Sequence, residues 1–123
     1  MSTFRDLIVY KKAFELAMEI YMMVKKFPGE EKYSLTDQIV RSSRSVCANI
    51  AEGYRKRKYV NYFVSKLTDA DMENSETMVW LDFSRECGYL AGEEYDELMS
   101  DANEVGKMLG HMIANPDKYV SKK

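Results

Sequence analysis

The sequence has few of the residues on which metalloproteins and enzymes depend. Its 123 residues include one histidine, His111, and two cysteines, Cys47 and Cys87. Zinc sites built from cysteine pairs and di-iron sites built from two Glu-x-x-His motifs both need more ligands than these. The chain also contains neither a glycine-rich phosphate loop nor a Gly-x-Ser-x-Gly motif. We therefore expect no metal, no cofactor and no enzymatic activity.

Long hydrophobic runs are missing as well. Apolar stretches such as residues 7–10 are far shorter than the roughly 20 residues that a membrane-spanning helix needs. The first residues show no basic segment followed by an apolar one, so we expect no signal peptide. Two cysteines in a chain without export signals predict reduced thiols and a cytoplasmic protein with no membrane partner.

Charge is unevenly distributed along the chain, although the net charge is only −2. Residues 1–66 contain 13 Lys and Arg against 7 Asp and Glu, whereas residues 67–123 contain 5 against 13. The two halves can neutralise each other inside the fold, or the first half can present a basic face to a polyanion. Both alternatives remain open at this point.

Apolar residues recur at steps of three and four in four stretches, which predicts helices and no strands. The predicted helices cover residues 6–26, 34–54, 59–87 and 92–115. Short connections between four helices indicate an all-α, antiparallel up-down-up-down bundle. We expect one such domain over residues 1–123.

Turn and cap residues mark the ends of these predicted helices. Pro28 and the glycine after it cannot continue the first helix. Ser34 followed by Asp37 resembles a capping box that starts the second helix. Gly88 is expected to end the third helix in the left-handed conformation.

Two predicted helices carry more apolar or small residues than one bundle seam requires. A second apolar line on the first helix consists of Tyr10, Phe14, Ala17, Tyr21 and Val24. This line predicts either a deeply buried helix or a contact with another subunit. A stripe of small residues on the fourth helix consists of Ala102, Gly106, Gly110 and Ala114. We expect a neighbouring backbone to approach this stripe closely.

Carboxylates cluster on the predicted third helix, at positions that include Glu73 and Glu76. A metal or acid–base role is one interpretation of this cluster. The alternative that we favour is pairing with Arg41 and Arg44 of the second helix, because a guanidinium can bind a carboxylate through two parallel hydrogen bonds.

The connection between the second and third helices is basic and has aromatic neighbours. Cations neutralise phosphates and exposed rings stack on bases, so this segment is the candidate nucleic-acid site. The predicted phosphate contacts are Arg41, Arg44, Arg55, Lys56, Arg57 and Lys58, and the predicted stacking groups are Tyr54 and Tyr59. A solvated turn without a ligand is the alternative. Assembly into a ring would favour binding, since it places several copies of the turn on one rim.

One motif makes the sequence recognisable. Residues 38–53 read Gln-Ile-Val-Arg-Ser-Ser-Arg-Ser-Val-Cys-Ala-Asn-Ile-Ala-Glu-Gly. The motif positions are Gln38, Asn49, Glu52 and Gly53, and Glu76 follows on the third helix. This pattern resembles a bacterial four-helix-bundle family. The family includes proteins encoded in intervening sequences of 23S rRNA genes and the accessory variability protein of diversity-generating retroelements.

The resemblance implies a bundle that assembles as a homopentamer and has no enzymatic activity. For the retroelement relative it also implies nucleic-acid binding through a positive surface and association with a reverse transcriptase. Within the motif, Asn49 and Glu52 are expected to hold a polar network or the turn at Gly53; direct ligand contact is the alternative. We therefore expect a non-enzymatic accessory factor that binds RNA or DNA. The alternatives are a protein-interaction scaffold without nucleic-acid binding and, less favoured, a metal-dependent nuclease.

Overall fold

A computed structural model describes residues 2–119, which form helices and turns and contain no strand. The four long helices are α1 (Ile8–Met23), α2 (Leu35–Arg55), α3 (Val60–Glu86) and α4 (Gly92–Ala114). Short 3₁₀ turns lie at Phe4–Asp6, Val24–Lys26, Gly29–Glu31 and Pro116–Lys118. The all-α helical bundle predicted from the sequence is confirmed.

The helices pack side by side around one core, and α2 and α3 form the closest pair. Ser42 Oγ and Thr77 Oγ1 share a hydrogen bond of 2.8 Å across this pair. Near the end of α2, Gly53 faces α3 so closely that an added Cβ would lie 3.0 Å from Lys66 Cβ. These contacts run in opposite directions along the two helices, so α2 and α3 are antiparallel. Helix α1 packs on α2 and α4. Helix α3 also packs on α2 and α4, so α1 and α3 lie at opposite corners of the bundle.

The apolar core has two parts, one at each end of the bundle. Ile50, Phe63 and Leu109 are fully buried in the part near the α2–α3 turn. Ile39 and Leu81 are fully buried in the other part. At roughly 25 cal/mol per Å² of buried apolar surface, these clusters supply the main force for folding.

Polar side chains lie in the middle of the core. Asn74 is 2% exposed, and its Nδ2 donates a hydrogen bond of 2.8 Å to the Ala102 carbonyl. Thr77 is fully buried, and its hydroxyl donates to the Glu73 carbonyl at 2.9 Å. Both groups therefore have partners, which removes most of the cost of burying them. The Asn74 bond joins α3 to α4, and the bond that Thr77 shares with Ser42 joins α3 to α2.

Two predicted helix ends can be checked directly. Gly88 has φ +80°, so the left-handed stop after α3 is confirmed. The predicted capping box at Ser34 is wrong, because the Ser34 side chain does not cap α2. Instead, Glu31 Oε1 accepts hydrogen bonds from Leu35 N–H at 3.3 Å and from the Ser34 hydroxyl at 3.1 Å. The carboxylate that caps α2 thus comes from the preceding turn.

The small-residue stripe on α4 is only partly in contact with a neighbour. An added Cβ on Gly106 would lie 3.4 Å from Asn74 Nδ2, which shows a close approach of α3. An added Cβ on Gly110 would have no neighbour within 4 Å. The expected approach is therefore present at Gly106 and absent at Gly110.

The second apolar line of α1 divides between the core and the surface. Ala17 and Val24 are buried, but Phe14 is 51% and Tyr21 is 38% exposed. Two methionines next to this line, Met18 and Met22, are 44% and 56% exposed. A deeply buried first helix is therefore excluded. We call the exposed set Phe14, Met18, Tyr21 and Met22 the α1 strip.

The two cysteines are free and lie in different environments. Cys47 is buried, and burial raises the pKa of its thiol to about 11. Cys87 is exposed just beyond the last residue of α3. Among the described helices, none is long and apolar enough to cross a membrane.

Acidic side chains face one another where α1 meets α4. Burial and the nearby carboxylates of Asp101, Glu15 and Glu97 raise the pKa of Glu19. Burial, followed by Glu104, Glu15 and Glu97, raises the pKa of Asp101. Ion pairs stand on either side of this acidic seam: Lys12–Glu104 at 3.1 Å and Lys26–Glu94 at 3.2 Å.

Substitution of Gly53 is expected to weaken the α2–α3 contact. Gly53→Val should lower the free energy of unfolding by about 1–3 kcal/mol, because its side chain must displace Lys66 or the Phe63 backbone. Gly110→Val is the matched control, since Gly110 lies in α4 with open space beside it. It should be neutral or slightly stabilising. Urea unfolding measures both, and equal effects would contradict the close approach.

The acidic seam is expected to destabilise the fold at neutral pH. A raised pKa means that the folded state binds the Glu19 proton more tightly than the unfolded state does. Protonation of Glu19 therefore stabilises the folded state fully below the unfolded-state pKa, and this contribution is lost as pH rises through the folded-state pKa. Glu19→Gln should therefore raise the melting temperature at pH 7, and the gain should shrink as pH falls toward the ordinary Glu value of 4.5.

Glu31→Gln is the control with the opposite sign. Hydrogen bonds from Tyr89, the Leu35 backbone and Ser34 lower the pKa of Glu31. Its contribution is therefore present at neutral pH and lost as pH falls through the folded-state pKa. This variant should melt lower than the wild type at pH 7, with a difference that closes in acid. Two variants with parallel pH profiles would contradict both assignments.

Candidate nucleic-acid interface

The α2–α3 turn is short and tightly hydrogen-bonded. Lys56 N–H donates to the Gly53 carbonyl at 3.0 Å, and Arg57 N–H donates to the Tyr54 carbonyl at 3.2 Å. Tyr59 N–H then donates to the Lys56 carbonyl at 2.9 Å, one residue before α3 begins. These backbone hydrogen bonds are formed within the turn itself. Of its four basic side chains, only that of Arg57 adds a hydrogen bond to the turn backbone.

Three cations of this turn remain in solvent. Arg55, Lys56 and Lys58 are exposed, and none forms an ion pair with another residue in the 2–119 range. Tyr59 is 55% exposed, and its ring centroid lies 5.8 Å from Lys56 Nζ and 5.3 Å from Lys58 Nζ. We call Arg55, Lys56, Lys58 and Tyr59 the basic turn. It presents a partly exposed aromatic ring with two ammonium groups close to it.

Tyr54 and Arg57 both contact other parts of the chain. Tyr54 is only 8% exposed, and its hydroxyl shares a hydrogen bond of 2.9 Å with Ser2 Oγ. Its ring belongs to the core and is not available for stacking on a base. Arg57 is half-buried: Nη1 donates to the Tyr54 carbonyl at 3.0 Å, and the guanidinium lies 4.0 Å from the Tyr54 ring centroid. Arg57 therefore helps to hold the turn together, and its predicted role as a phosphate contact stays a prediction.

Arg41 and Arg44 lie in the middle of α2, before the turn in the sequence. At 1.5 Å and 100° per residue, Arg44 is about 16 Å from Arg55 along the helix axis, and both lie within about 60° of Arg41 around it. The Arg44 guanidinium is 5.5 Å from the Tyr21 ring centroid of α1. Arg41 Nη2 donates to Gln38 Oε1 at a long 3.4 Å. The arginines thus extend a basic face from the turn along α2.

The predicted pairing of these arginines with α3 carboxylates is not found. Within residues 2–119, neither Arg41 nor Arg44 forms an ion pair with Glu73 or Glu76. The reason is geometric, because α2 and α3 already approach closely through small side chains. Long arginine side chains on the outer face of α2 consequently turn toward solvent and toward α1.

The motif residues have mainly local partners. Glu52 Oε1 lies 2.9 Å from Lys66 Nζ and ties α2 to α3 beside Gly53, and this hydrogen bond raises the pKa of Lys66. Asn49 Nδ2 donates to the Ser45 carbonyl at 2.9 Å, one turn back in α2. Glu76 is half-buried on α3. The motif therefore surrounds the α2–α3 contact, and the basic turn follows directly from it.

The arrangement can attract a polyanion but shows no metal-binding group. Within the described part of the chain, no set of three or more His, Cys, Asp or Glu side chains comes together as a metal ion would require. The basic turn offers separate positive charges and an aromatic face, which suits phosphates and stacked bases.

The fold and motif define a class of helical-bundle proteins. The sequence profile described as "23S rRNA-intervening sequence protein" matches residues 5–111. The chain therefore belongs to this family. A crystal structure of a protein of unknown function from the S23 ribosomal protein family of Bacteroides thetaiotaomicron is similar, with a TM-score of 0.79 and 30% sequence identity. The alignment covers 88% of this chain and 96% of that one. No curated protein sequence matches the chain.

One surface was not predicted from the sequence. Met72, Val79 and Phe83 of α3 are 65%, 45% and 53% exposed, and we call them the α3 strip. Their spacing of seven and four residues places them on one face of α3, opposite the face that carries its buried side chains. A search for a second apolar period on the third helix would have found this strip.

Truncation of the two tyrosines should separate core from surface. Tyr54→Ala is expected to lower the free energy of unfolding by about 3 kcal/mol, because it removes a buried ring. Tyr59→Ala, the matched control on the exposed ring, should change it by less than about 0.5 kcal/mol. Chemical denaturation measures both. Comparable losses for the two variants would show that the assignment of Tyr54 to the core is wrong.

Proposed function

We propose that the protein is a non-enzymatic accessory factor that binds RNA or DNA through the basic turn and the arginine face of α2. The observation that carries the proposal is that Arg55, Lys56 and Lys58 stay unpaired among residues 2–119 although the second half of the chain is rich in acids. Among those acids, Glu97 and Asp101 lie at the α1–α4 seam, and Glu104 and Glu94 pair with Lys12 and Lys26.

Family membership supports the same proposal. The family's name links its members to intervening sequences of 23S rRNA. A protein associated with such a sequence works close to RNA and DNA, so a polyanion-binding surface fits this setting. We extend the proposal to a cytoplasmic location. A reverse transcriptase is a candidate protein partner for a member of this family.

Oligomerisation is the second part of the proposal. One basic turn offers about three phosphate contacts, which give weak binding alone. A homo-oligomeric ring, proposed as a pentamer, would place several copies on one rim, and linked sites increase overall affinity without new contacts. The rim thereby concentrates positive charge at one place, although each chain has a net charge of −2.

A protein-interaction scaffold is the second candidate function. The observation that favours it is the exposure of Phe14 and Met22 on α1 at more than half of their surface. Open space beside Gly110 adds an uncovered position on α4. A scaffold would use these surfaces and would leave the basic turn as a solvated connection only.

Removal of the unpaired cations should weaken nucleic-acid binding. The Arg55→Ala, Lys56→Ala, Lys58→Ala triple variant is expected to bind single- and double-stranded probes about tenfold or more weakly at physiological salt, whatever their sequence. The slope of log affinity against log salt should become shallower by about 0.7–0.9 for each phosphate that the variant no longer neutralises. Fluorescence anisotropy over a salt series measures both quantities.

The control for this variant removes the same charge elsewhere. Lys32→Ala, Lys107→Ala and Lys118→Ala together replace three exposed cations outside the basic turn. This variant should keep the wild-type salt slope. Equal losses of affinity in the two triple variants would assign binding to net charge alone. If the wild type shifts no probe in an electrophoretic assay at about physiological salt, the scaffold function is favoured instead.

A further inference from the structure

The α1 strip has a complementary surface on the same molecule. Its aromatic and methionine side chains span one side of α1, and cations stand beside them. Lys25 Nζ and the Arg44 guanidinium lie 5.0 Å and 5.5 Å from the Tyr21 ring centroid. Lys11 lines the same groove as Phe14 and Met18, as does the acidic Glu15. Neither Lys11, Lys25 nor Arg44 is ion-paired within the described residues.

The α3 strip carries the opposite charge. Glu76 and Glu86 flank its exposed apolar side chains on the helix surface, at positions one or two turns apart from Val79 and Phe83. Neither carboxylate is ion-paired in the 2–119 segment. Asp82 is also exposed and accepts a hydrogen bond of 2.6 Å from the Tyr95 hydroxyl. An apolar strip beside cations and one beside anions therefore occur on a single chain.

The two strips have similar lengths. The α1 strip, from Phe14 to Met22, covers eight residue steps, or about 12 Å of helix, and the α3 strip, from Met72 to Phe83, covers eleven, or about 16 Å. Helices α1 and α3 occupy opposite corners of the bundle, so one molecule cannot bring its own strips together. A contact between copies can do so, and it covers both exposed apolar surfaces at once.

We propose that the α1 strip of one copy docks on the α3 strip of a second copy, with Lys11 and Lys25 facing the carboxylates of Glu76 and Glu86. The proposal rests on the oligomeric part of the proposed function and identifies the surfaces that form it. The contact is head-to-tail, since each copy uses two different faces. Such contacts form a ring when the rotation between copies closes and an open filament when it does not.

The geometry leaves the basic turn outside this contact. The α1 strip leans toward α2, because Arg44 of α2 lies over Tyr21. The contact involves the outer faces of α1 and α3, so Arg55, Lys56 and Lys58 of all copies remain accessible on that assembly.

Charge reversal tests the contact. Variant A carries Lys11→Glu and Lys25→Glu, and variant B carries Glu76→Lys and Glu86→Lys. Each alone juxtaposes like charges, so the dissociation constant for self-assembly should rise at least about tenfold. An equimolar mixture should restore association of A with B, because the reversed strip of A then meets the reversed strip of B. Particles that alternate A and B contain even numbers of copies, so the mixture is expected to form such particles and no five-membered ring. Sedimentation velocity at tens of micromolar measures the masses.

The control is Lys32→Glu with Lys118→Glu, which changes net charge as variant A does but lies outside both strips. It should assemble like the wild type. Restoration in the mixture also shows that A and B are folded, and circular dichroism of each variant checks this independently.

The outcomes separate this contact from the proposed function. If the wild type assembles and variants A and B assemble equally well, the α1–α3 contact is wrong and the proposed rim stands. If A and B fail to assemble alone but the mixture is not restored, the strips do not meet each other and the contact is again wrong. A monomeric wild type overturns both the contact and the oligomeric part of the proposal, and leaves the α1 strip for another protein or a nucleic acid.

Discussion

The close packing of α2 against α3 is the constraint on which the rest of the molecule depends. Gly53 removes the side chain that would otherwise separate the helices, and the Ser42–Thr77 hydrogen bond holds them together further along. Apolar and small residues fill the inner side of α2, so there is no room there for its arginines. They project outward, and in the turn that follows only Arg57 folds back, so Arg55, Lys56 and Lys58 stay exposed. The shape of the α2–α3 contact and the positive surface therefore have one cause.

Much of the bundle could be predicted from the sequence because its signals are local. Apolar spacing identifies the four helices, and Gly88 needs its left-handed conformation to end α3. The cap of α2 was not predicted because Glu31 acts from a preceding 3₁₀ turn, and no spacing rule within the helix includes it. Helix existence is thus a property of the pattern, while cap identity depends on how the preceding turn folds.

The candidate site was predictable only in part. A run of four basic residues indicates a positive turn, but sequence does not show which side chains fold back. Tyr54 and Tyr59 are both aromatic neighbours of this run, yet one lies in the core and the other in solvent. The difference arises because Tyr54 still belongs to α2 and faces inward, whereas Tyr59 precedes the first residue of α3. Pairing partners for Arg41 and Arg44 likewise depend on tertiary distances that charge counts do not contain.

The two thiols of this chain differ in a way that has practical value. Only the thiolate is nucleophilic, and at neutral pH burial keeps Cys47 almost entirely protonated, with a pKa of about 11. Cys87 stands in solvent at the far end of α3, about 40 Å along a 27-residue helix from Tyr59. A maleimide dye would thus attach at one position without any engineering of the chain. That position reports on the molecule from the end remote from its positive turn, so a fluorophore there leaves the polyanion surface uncovered.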